Sequence, residues 1–217
     1  FLGIKSQPEL TEHFVTTDVA EAFLNDPYDF DGPHEPIVCS TEADMDAALT
    51  MEVFKHLAGT PVLFADVRHY FEDLGLFDLV NSGQHATYFA GKSFSPEENL
   101  PHVELKPQGF YFPAGGASVF HVAAPGEVTL ARLTRERGQY RMHIVKGEFV
   151  RLDLQEEVRR IRLVQDNWPH AFVKLDTRPE HFLLSFPCNH IHGVYGDFTP
   201  ELLAWCDIAG VEPKVLA

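Results

Sequence analysis

The stretch that decides the fold is residues 37–66, IVCSTEADMDAALTMEVFKHLAGTPVLFAD. Its first three residues form an apolar run that predicts a short buried strand. From Met45 to Leu57 an apolar residue recurs at every fourth position, which predicts a helix over about 43–58 that ends at Gly59. The apolar run 61–65 predicts a second buried strand. A strand, a helix and a strand in this order are typical of a parallel βαβ unit.

The flanking sequence is helical on one side and rich in strands on the other. Before this unit, residues 8–25 carry one partly apolar face and predict a helix. After it, short apolar runs separated by Gly residues predict antiparallel strands at 128–133, 140–145, 149–154 and 158–164. A final helix is predicted from about 200 to 209, with Gly210 as its stop.

Pro and Gly residues cluster in residues 91–108, which indicates a domain boundary. The predicted fold class is therefore α/β followed by mainly antiparallel β, an α+β arrangement. Residues 1–95 are predicted to be an α/β unit, with the βαβ portion of a parallel sheet. Residues 96–217 are predicted to be a β-barrel-like domain with the final helix.

Composition excludes some classes of partner. The chain of 217 residues has 32 acidic and 17 basic residues, a net charge of −15, so we expect no nucleic acid partner and no anionic membrane surface. No apolar run approaches the roughly 20 residues of a membrane span, and we expect no signal peptide at the start of the chain. Three scattered Cys residues do not form a disulfide framework, which favours a cytoplasmic location.

Two carboxylates follow the two strands of the predicted βαβ unit. Glu42 comes almost directly after the first strand, and Asp66 ends the second. If the strands are parallel neighbours about 4.8 Å apart, both side chains emerge at the same edge of the sheet and can share a cation. The alternative interpretation is structural: Glu42 is a helix N-terminal carboxylate and Asp66 a loop aspartate. We give the same structural interpretation to Asp44 and Asp46, because acidic side chains stabilise the start of a helix.

A third candidate ligand lies near the C-terminus, in residues 188–193, CNHIHG. This stretch contains His190 and His192, although a single histidine is more often a core or surface residue. Two carboxylates and one imidazole suit a borderline-hard divalent cation such as Mn²⁺, whereas zinc prefers more nitrogen or sulfur ligands. Three protein ligands also leave open positions, as a catalytic metal requires.

A series of short motifs occurs in a fixed order along the chain. In that order they are Gly3-Ile4-Lys5-Ser6-Gln7, Pro8-Glu9-Leu10-Thr11-Glu12, Glu35-Pro36-Ile37-Val38 with Thr41-Glu42, Val62-Leu63-Phe64-Ala65-Asp66-Val67-Arg68 with Tyr70, Leu79-Val80-Asn81-Ser82-Gly83, Tyr111-Phe112 before Gly115-Gly116, Trp168-Pro169 and Asn189-His190. With these motifs the sequence resembles the L-fucose isomerase family over essentially its full length.

The resemblance implies an aldose–ketose isomerase that moves a proton between C1 and C2 of an open-chain sugar, from L-fucose to L-fuculose or from D-arabinose to D-ribulose. It implies Mn²⁺ or another divalent cation as cofactor, and a cytoplasmic homo-oligomer, a trimer or a hexamer. The residues carried over are Glu42, Asp66 and His190 as metal ligands, Glu42 and Asp66 as the catalytic acid–base groups, and Gln7, Tyr111, Trp168 and Asn189 as sugar-binding residues. His192 does not match the family ligand and is a secondary candidate. The resemblance also implies that residues 1–95 are the C-terminal part of the middle α/β domain of the family, and residues 96–217 its C-terminal β-rich domain.

Two other functions remain open at this point. A non-catalytic sugar-binding or assembly module of the same fold would bind a metal without turnover. A different metal enzyme, such as an aldolase or a hydrolase, could use the same two carboxylates and one histidine. Single residues also have structural alternatives, since Trp168 fits a core aromatic and Gln7 a surface residue.

Overall fold

The structure is a computed structural model that describes residues 1–5, 8–108 and 112–217. Its helices are α1 (Glu9–His13), α2 (Asp18–Asn25), α3 (Met45–Ala58), α4 (Tyr88–Gly91), α5 (Pro96–Asn99), α6 (Leu154–Val164), α7 (Pro179–Ser185) and α8 (Thr199–Ala209). Within these residues the longest helix, α3, has 14 residues, and none of the helices is long and apolar enough to cross a bilayer.

The strands are β1 (Leu2–Ile4), β2 (Tyr28–Asp29), β3 (Gly32–Pro33), β4 (Cys39–Thr41), β5 (Leu63–Phe71), β6 (Leu76–Val80), β7 (Glu104–Pro107), β8 (Ala117–Phe120), β9 (Gly126–Glu136), β10 (Gln139–Phe149), β11 (His170–Leu175), β12 (His190–Tyr195) and β13 (Glu212–Val215). Seven of the described strands form one sheet in the order β11-β6-β5-β12-β9-β10-β13. Its neighbours are antiparallel except β10 and β13, so the prediction of a mainly antiparallel second half is confirmed.

The predicted parallel βαβ unit is wrong. The helix itself is confirmed as α3, with Gly59 in the left-handed conformation at its end. The strand before it, β4, pairs in parallel with β1, whereas β5 has β6 on one edge and β12 on the other, both antiparallel. Because both edges of β5 are occupied, β4 is not its neighbour, and a shared parallel edge cannot bring Glu42 and Asp66 together.

The expectation of a barrel also needs correction. The sheet is strongly curled, and the last three residues of β10 pair with β11. The rest of that edge of β10 pairs with β13, which extends the sheet beyond β10, so the architecture is a curled sheet rather than the predicted barrel. The predicted division after residue 95 does not coincide with a break in this sheet, because β5 and β6 precede it and pair with β12 and β11, which follow it.

Three local predictions are wrong for identifiable reasons. The helix predicted over 8–25 is two helices, because Phe14 is extended and the residues between them include the β-branched run 15–17, which disfavours a helix. The strand predicted over 158–164 belongs to α6, whose apolar residues recur at helical spacing and whose first turn is capped by the Asp153 carboxylate, which accepts from Glu156 N–H at 3.1 Å. The strand predicted over 149–154 is likewise wrong, since β10 ends at Phe149 and α6 begins at Leu154.

The core positions α3 against the sheet. One face of α3, which includes Met51 and Phe54, packs with Phe64 of β5 and Val194 of β12 in one buried cluster. Met51 and Phe54 are fully buried, and burial of each side chain stabilises the fold by about 1.5–3 kcal/mol. The side chains of α3 therefore hold the helix across β12 and β9, with its first turn close to the start of β12.

Candidate metal centre

The register of two antiparallel strands places a histidine opposite an aspartate. His190 of β12 is the direct partner of Asp66 of β5. Side chains alternate along β5, so Leu63 and Ala65 enter one core cluster while Phe64 enters the other. Asp66 therefore shares a face with Phe64, whose ring centroid lies 4.7 Å from that of His190. The distance from His190 Nε2 to Asp66 Oδ1 is 3.4 Å.

A strained turn brings the second carboxylate to the same ring. Glu42 and Ala43, which follow β4, both have left-handed backbones, with φ of 56° and 52°. Such a conformation costs roughly 1–2 kcal/mol per non-Gly residue. The turn is held by Ala43 N–H, which donates to Ile4 O at 3.0 Å, and Asp44 N–H, which donates to Thr41 O at 3.1 Å. It places Glu42 Oε2 at 3.6 Å from His190 Nε2.

The three predicted metal ligands are thus brought together around one nitrogen atom. His190 Nε2 is buried and has no hydrogen-bond partner, while Glu42 and Asp66 oxygens lie 3.6 and 3.4 Å away. Among the described residues, no group of three or more His, Cys, Asp or Glu side chains is already arranged to hold a metal ion. The donor set nevertheless fits a divalent cation, because two ligands of one ion with bonds of about 2.0–2.2 Å stand about 3–3.6 Å apart.

Asp66 is held by two amide side chains. Asn189 donates its Nδ2–H to Oδ1 at 2.9 Å, and Asn81 donates to Oδ2 at 3.2 Å. Burial raises the pKa of the Asp66 carboxyl, and the nearby His190 and these amides only partly offset that effect. The predicted sugar-binding residue Asn189 thus orients a candidate metal ligand. Asn81 belongs to the motif at residues 79–83. Its position directly after β6 brings its amide to Asp66.

Asp44 was predicted to be structural, and the structure confirms this in part. Its Oδ1 caps α3 by accepting from Ala47 N–H at 2.9 Å. Its Oδ2 also accepts from His190 Nδ1 at 2.7 Å, a contact that the sequence analysis missed. Burial alone would raise the pKa of the Asp44 carboxyl, but hydrogen bonds from His190 and Arg132 outweigh it and hold the pKa well below its usual range.

Arg132 and the secondary candidate His192 lie behind Asp44. Arg132 contacts the Asp44 carboxylate at 2.9 Å, and its other terminal nitrogen lies 3.2 Å from His192 Nε2. Because Arg only donates, the His192 nitrogen accepts. Burial, with Arg132 adding to it, lowers the pKa of His192 well below its usual value, so this imidazole is neutral.

Of the other predicted sugar-binding residues, Trp168 lies within the described part of the chain. Trp168 packs with Val80, the strand partner of Asp66. Its side chain is only 5% exposed, its indole N–H donates to Gln108 Oε1 at 2.7 Å, and the Arg68 guanidinium lies 5.6 Å from its ring centroid. Gln7 and Tyr111 lie outside the described residues.

Comparison with known proteins gives two family matches. The model described as L-fucose isomerase, C-terminal domain, matches residues 79–215, and that described as L-fucose isomerase, second N-terminal domain, matches residues 1–59. Proteins named L-fucose isomerase from Escherichia coli O9:H4 (strain HS) and Escherichia coli (strain K12 / DH10B) are each 32% identical to this chain over an alignment of 125 residues, and each match covers 49% of this chain.

The matched stretch spans 21% of the length of these relatives. The resemblance stated from the motifs is confirmed, because the C-terminal-domain model alone matches well over half of the residues. The chain therefore belongs to the L-fucose isomerase family.

Proposed function

We propose that this chain carries the metal site of an aldose–ketose isomerase, which converts L-fucose to L-fuculose or D-arabinose to D-ribulose. The observation that carries the proposal is the buried, unpartnered Nε2 atom of His190, which faces the Glu42 and Asp66 carboxylates at 3.6 and 3.4 Å. Glu42, Asp66 and His190 would hold Mn²⁺ or another divalent cation. When bound, such a cation supplies Lewis-acid stabilisation of negative charge on neighbouring sugar oxygens.

Glu42 and Asp66 differ in solvent exposure, and we assign them different roles on that basis. The Asp66 side chain is only 14% exposed and accepts hydrogen bonds from two amides, so its position is fixed. The Glu42 side chain is 53% exposed, so it has room to meet a sugar. In our proposal Glu42 takes the proton from C2 of the open-chain aldose, which leaves an ene-diolate with its charge on O1, and returns that proton to C1. Asp66, its acid–base partner, transfers the proton of the O2 hydroxyl to O1.

Binding of the sugar is assigned to residues beside Asp66. Asn189 has an exposed side chain next to the carboxylate, and it would also contact a sugar hydroxyl. Trp168 would offer an apolar surface once Arg68 moves aside, because Arg68 lies over its ring. Gln7 and Tyr111 are proposed as further sugar-binding residues from the motifs alone. The family resemblance supports a cytoplasmic homo-oligomer, a trimer or hexamer, as part of the same proposal.

The complete natural protein that contains this chain provides the test. It is incubated with L-fucose or D-arabinose, with Mn²⁺ and after chelation, and ketose formation is followed by chromatography. We expect ketose only when the divalent cation is present. Tight Mn²⁺ binding without ketose from any aldose would contradict the proposal and favour a non-catalytic module. A cleaved product would instead indicate an aldolase or a hydrolase.

A further inference from the structure

Both ring nitrogens of His190 are contacted from the same turn. Glu42 lies 3.6 Å from Nε2, and Asp44, two residues later, accepts from Nδ1 at 2.7 Å. The left-handed backbones of Glu42 and Ala43 make this possible, because they turn the chain between β4 and α3 within two residues. The turn therefore holds a candidate ligand on one side of the imidazole and a carboxylate acceptor on the other.

We propose that Asp44 is a positioning residue that fixes the imidazole of His190 with its proton on Nδ1 and its Nε2 lone pair toward Glu42 and Asp66. A carboxylate only accepts, so a 2.7 Å contact with Nδ1 requires the proton to be on that atom. A neutral ring then has its lone pair on Nε2, the atom that has no partner in the protein. Carboxylates that orient a ligating histidine in this way raise metal affinity.

The Asp44 carboxylate is itself fixed by two donors besides His190. Ala47 N–H donates to Oδ1 at 2.9 Å, at the start of α3. Arg132 donates to the same carboxylate at 2.9 and 3.0 Å, and Arg132 is buried and also contacts His192. Since rotation of the carboxylate would break these contacts, Asp44 holds the His190 ring in one orientation. Asp44 thus positions His190, and Arg132 holds the Asp44 carboxylate in place. Both roles rest on the proposed metal site.

The test is Mn²⁺ affinity of the complete natural protein, without sugar, measured from the electron paramagnetic resonance signal of free Mn²⁺. Asp44→Asn keeps a good helix cap, since Asn caps nearly as well as Asp, but it removes the carboxylate beside His190. We expect its Kd for Mn²⁺ to rise about 10–100-fold. The matched control is Asp46→Asn, which removes the same charge from the same helical turn, where Asp46 pairs with Arg135 instead. Its Kd should stay within about twofold of the wild type, because such exposed pairs contribute little.

Equal Kd values for Asp44→Asn and Asp46→Asn would overturn the inference. If Asp44→Asn does not fold, Arg132→Gln provides the test. This variant keeps the hydrogen bond between Asp44 and His190, but it removes the Arg132 contacts that hold the Asp44 carboxylate in place. A raised Kd then supports the inference, and an unchanged Kd overturns it. Mn²⁺ binding without sugar turnover in the wild type would contradict the proposed function and leave this inference standing, so the two failures are distinguishable.

Discussion

Replacement of Asp66 by Asn should weaken metal binding while it leaves the stability of the fold nearly unchanged. The change keeps the shape of the side chain but turns one carboxylate oxygen into an amide group. The new amide group then faces the side-chain amide of Asn189 or of Asn81. In the wild type, each of these amides donates a hydrogen bond to Asp66. One hydrogen bond is lost, at a cost of about 1–3 kcal/mol. The loss is offset because a neutral amide is less costly to bury than a charged carboxylate. We expect the metal-free variant to be within about 1–2 kcal/mol of the wild type.

The effect on metal binding should be much larger. At a Mn²⁺ concentration of 100 times Kd, binding stabilises the wild type by about 2.7 kcal/mol. Loss of a direct anionic ligand should raise Kd at least about 100-fold, because changes beyond the direct ligands already cost 10–100-fold. At the same Mn²⁺ concentration the variant is then stabilised by only about 0.4 kcal/mol.

Thermal unfolding with and without Mn²⁺ measures both quantities. At about 2–4 °C per kcal/mol for a chain of this size, Mn²⁺ should raise the Tm of the wild type by about 5–10 °C and that of Asp66→Asn by about 1 °C. Asp73→Asn is the control, because Asp73 lies in the same part of the chain but pairs with Arg160. A full Mn²⁺-dependent shift in Asp66→Asn would refute the assignment of Asp66 as a ligand.

Three further predictions concern other parts of the chain. Glu42→Gln should lower kcat at least about 100-fold while its Tm changes little, because the side chain is 53% exposed; Glu52→Gln is the control, and near-normal turnover of Glu42→Gln would exclude Glu42 as the proton carrier. Burial raises the pKa of Glu21 from 4.5 to about 7, so the native state keeps a proton that the unfolded chain releases, and stability falls as pH rises from about 4.5 to about 7. Glu21→Gln should therefore raise the free energy of unfolding at pH 8 by up to about 3 kcal/mol and leave it unchanged at pH 4; equal effects at both pH values would contradict this. Gln108→Leu should lower the free energy of unfolding by about 1–3 kcal/mol in urea titration, because it leaves the buried Trp168 N–H without its acceptor; wild-type stability would show that this bond contributes nothing.

The three predicted ligands lie close together, but the structural reason differs from the one that the sequence indicates. Parallel strand ends were expected to bring Glu42 and Asp66 together, yet β4 pairs with β1 instead. The convergence comes from the antiparallel register of His190 with Asp66 and from α3, which packs across β12. Register between strands more than 100 residues apart is set by packing of the whole sheet, and local periodicity does not encode it.

The contact between Asp44 and His190 is a second feature that could not be predicted from the sequence. An acidic residue before a helix is a normal N-cap, and Asp44 is one. Its second contact, with His190, depends on the left-handed turn at Glu42 and Ala43, which no Gly or Asn marks in the sequence. Elements with strong local signals were predicted well, since α3 and α8 both end at the predicted Gly residues. In α6, the short apolar run 158–164 fits a strand by length, but its apolar residues have helical spacing and the structure forms a helix.

Anomalous X-ray diffraction from crystals of the complete natural protein soaked in Mn²⁺ tests the metal site most directly. We expect an anomalous peak within about 2.0–2.3 Å of Glu42 Oε2, Asp66 Oδ1 and His190 Nε2, with His190 Nδ1 still bonded to Asp44. A peak elsewhere, or a peak that His190 Nε2 does not contact, would contradict this expectation.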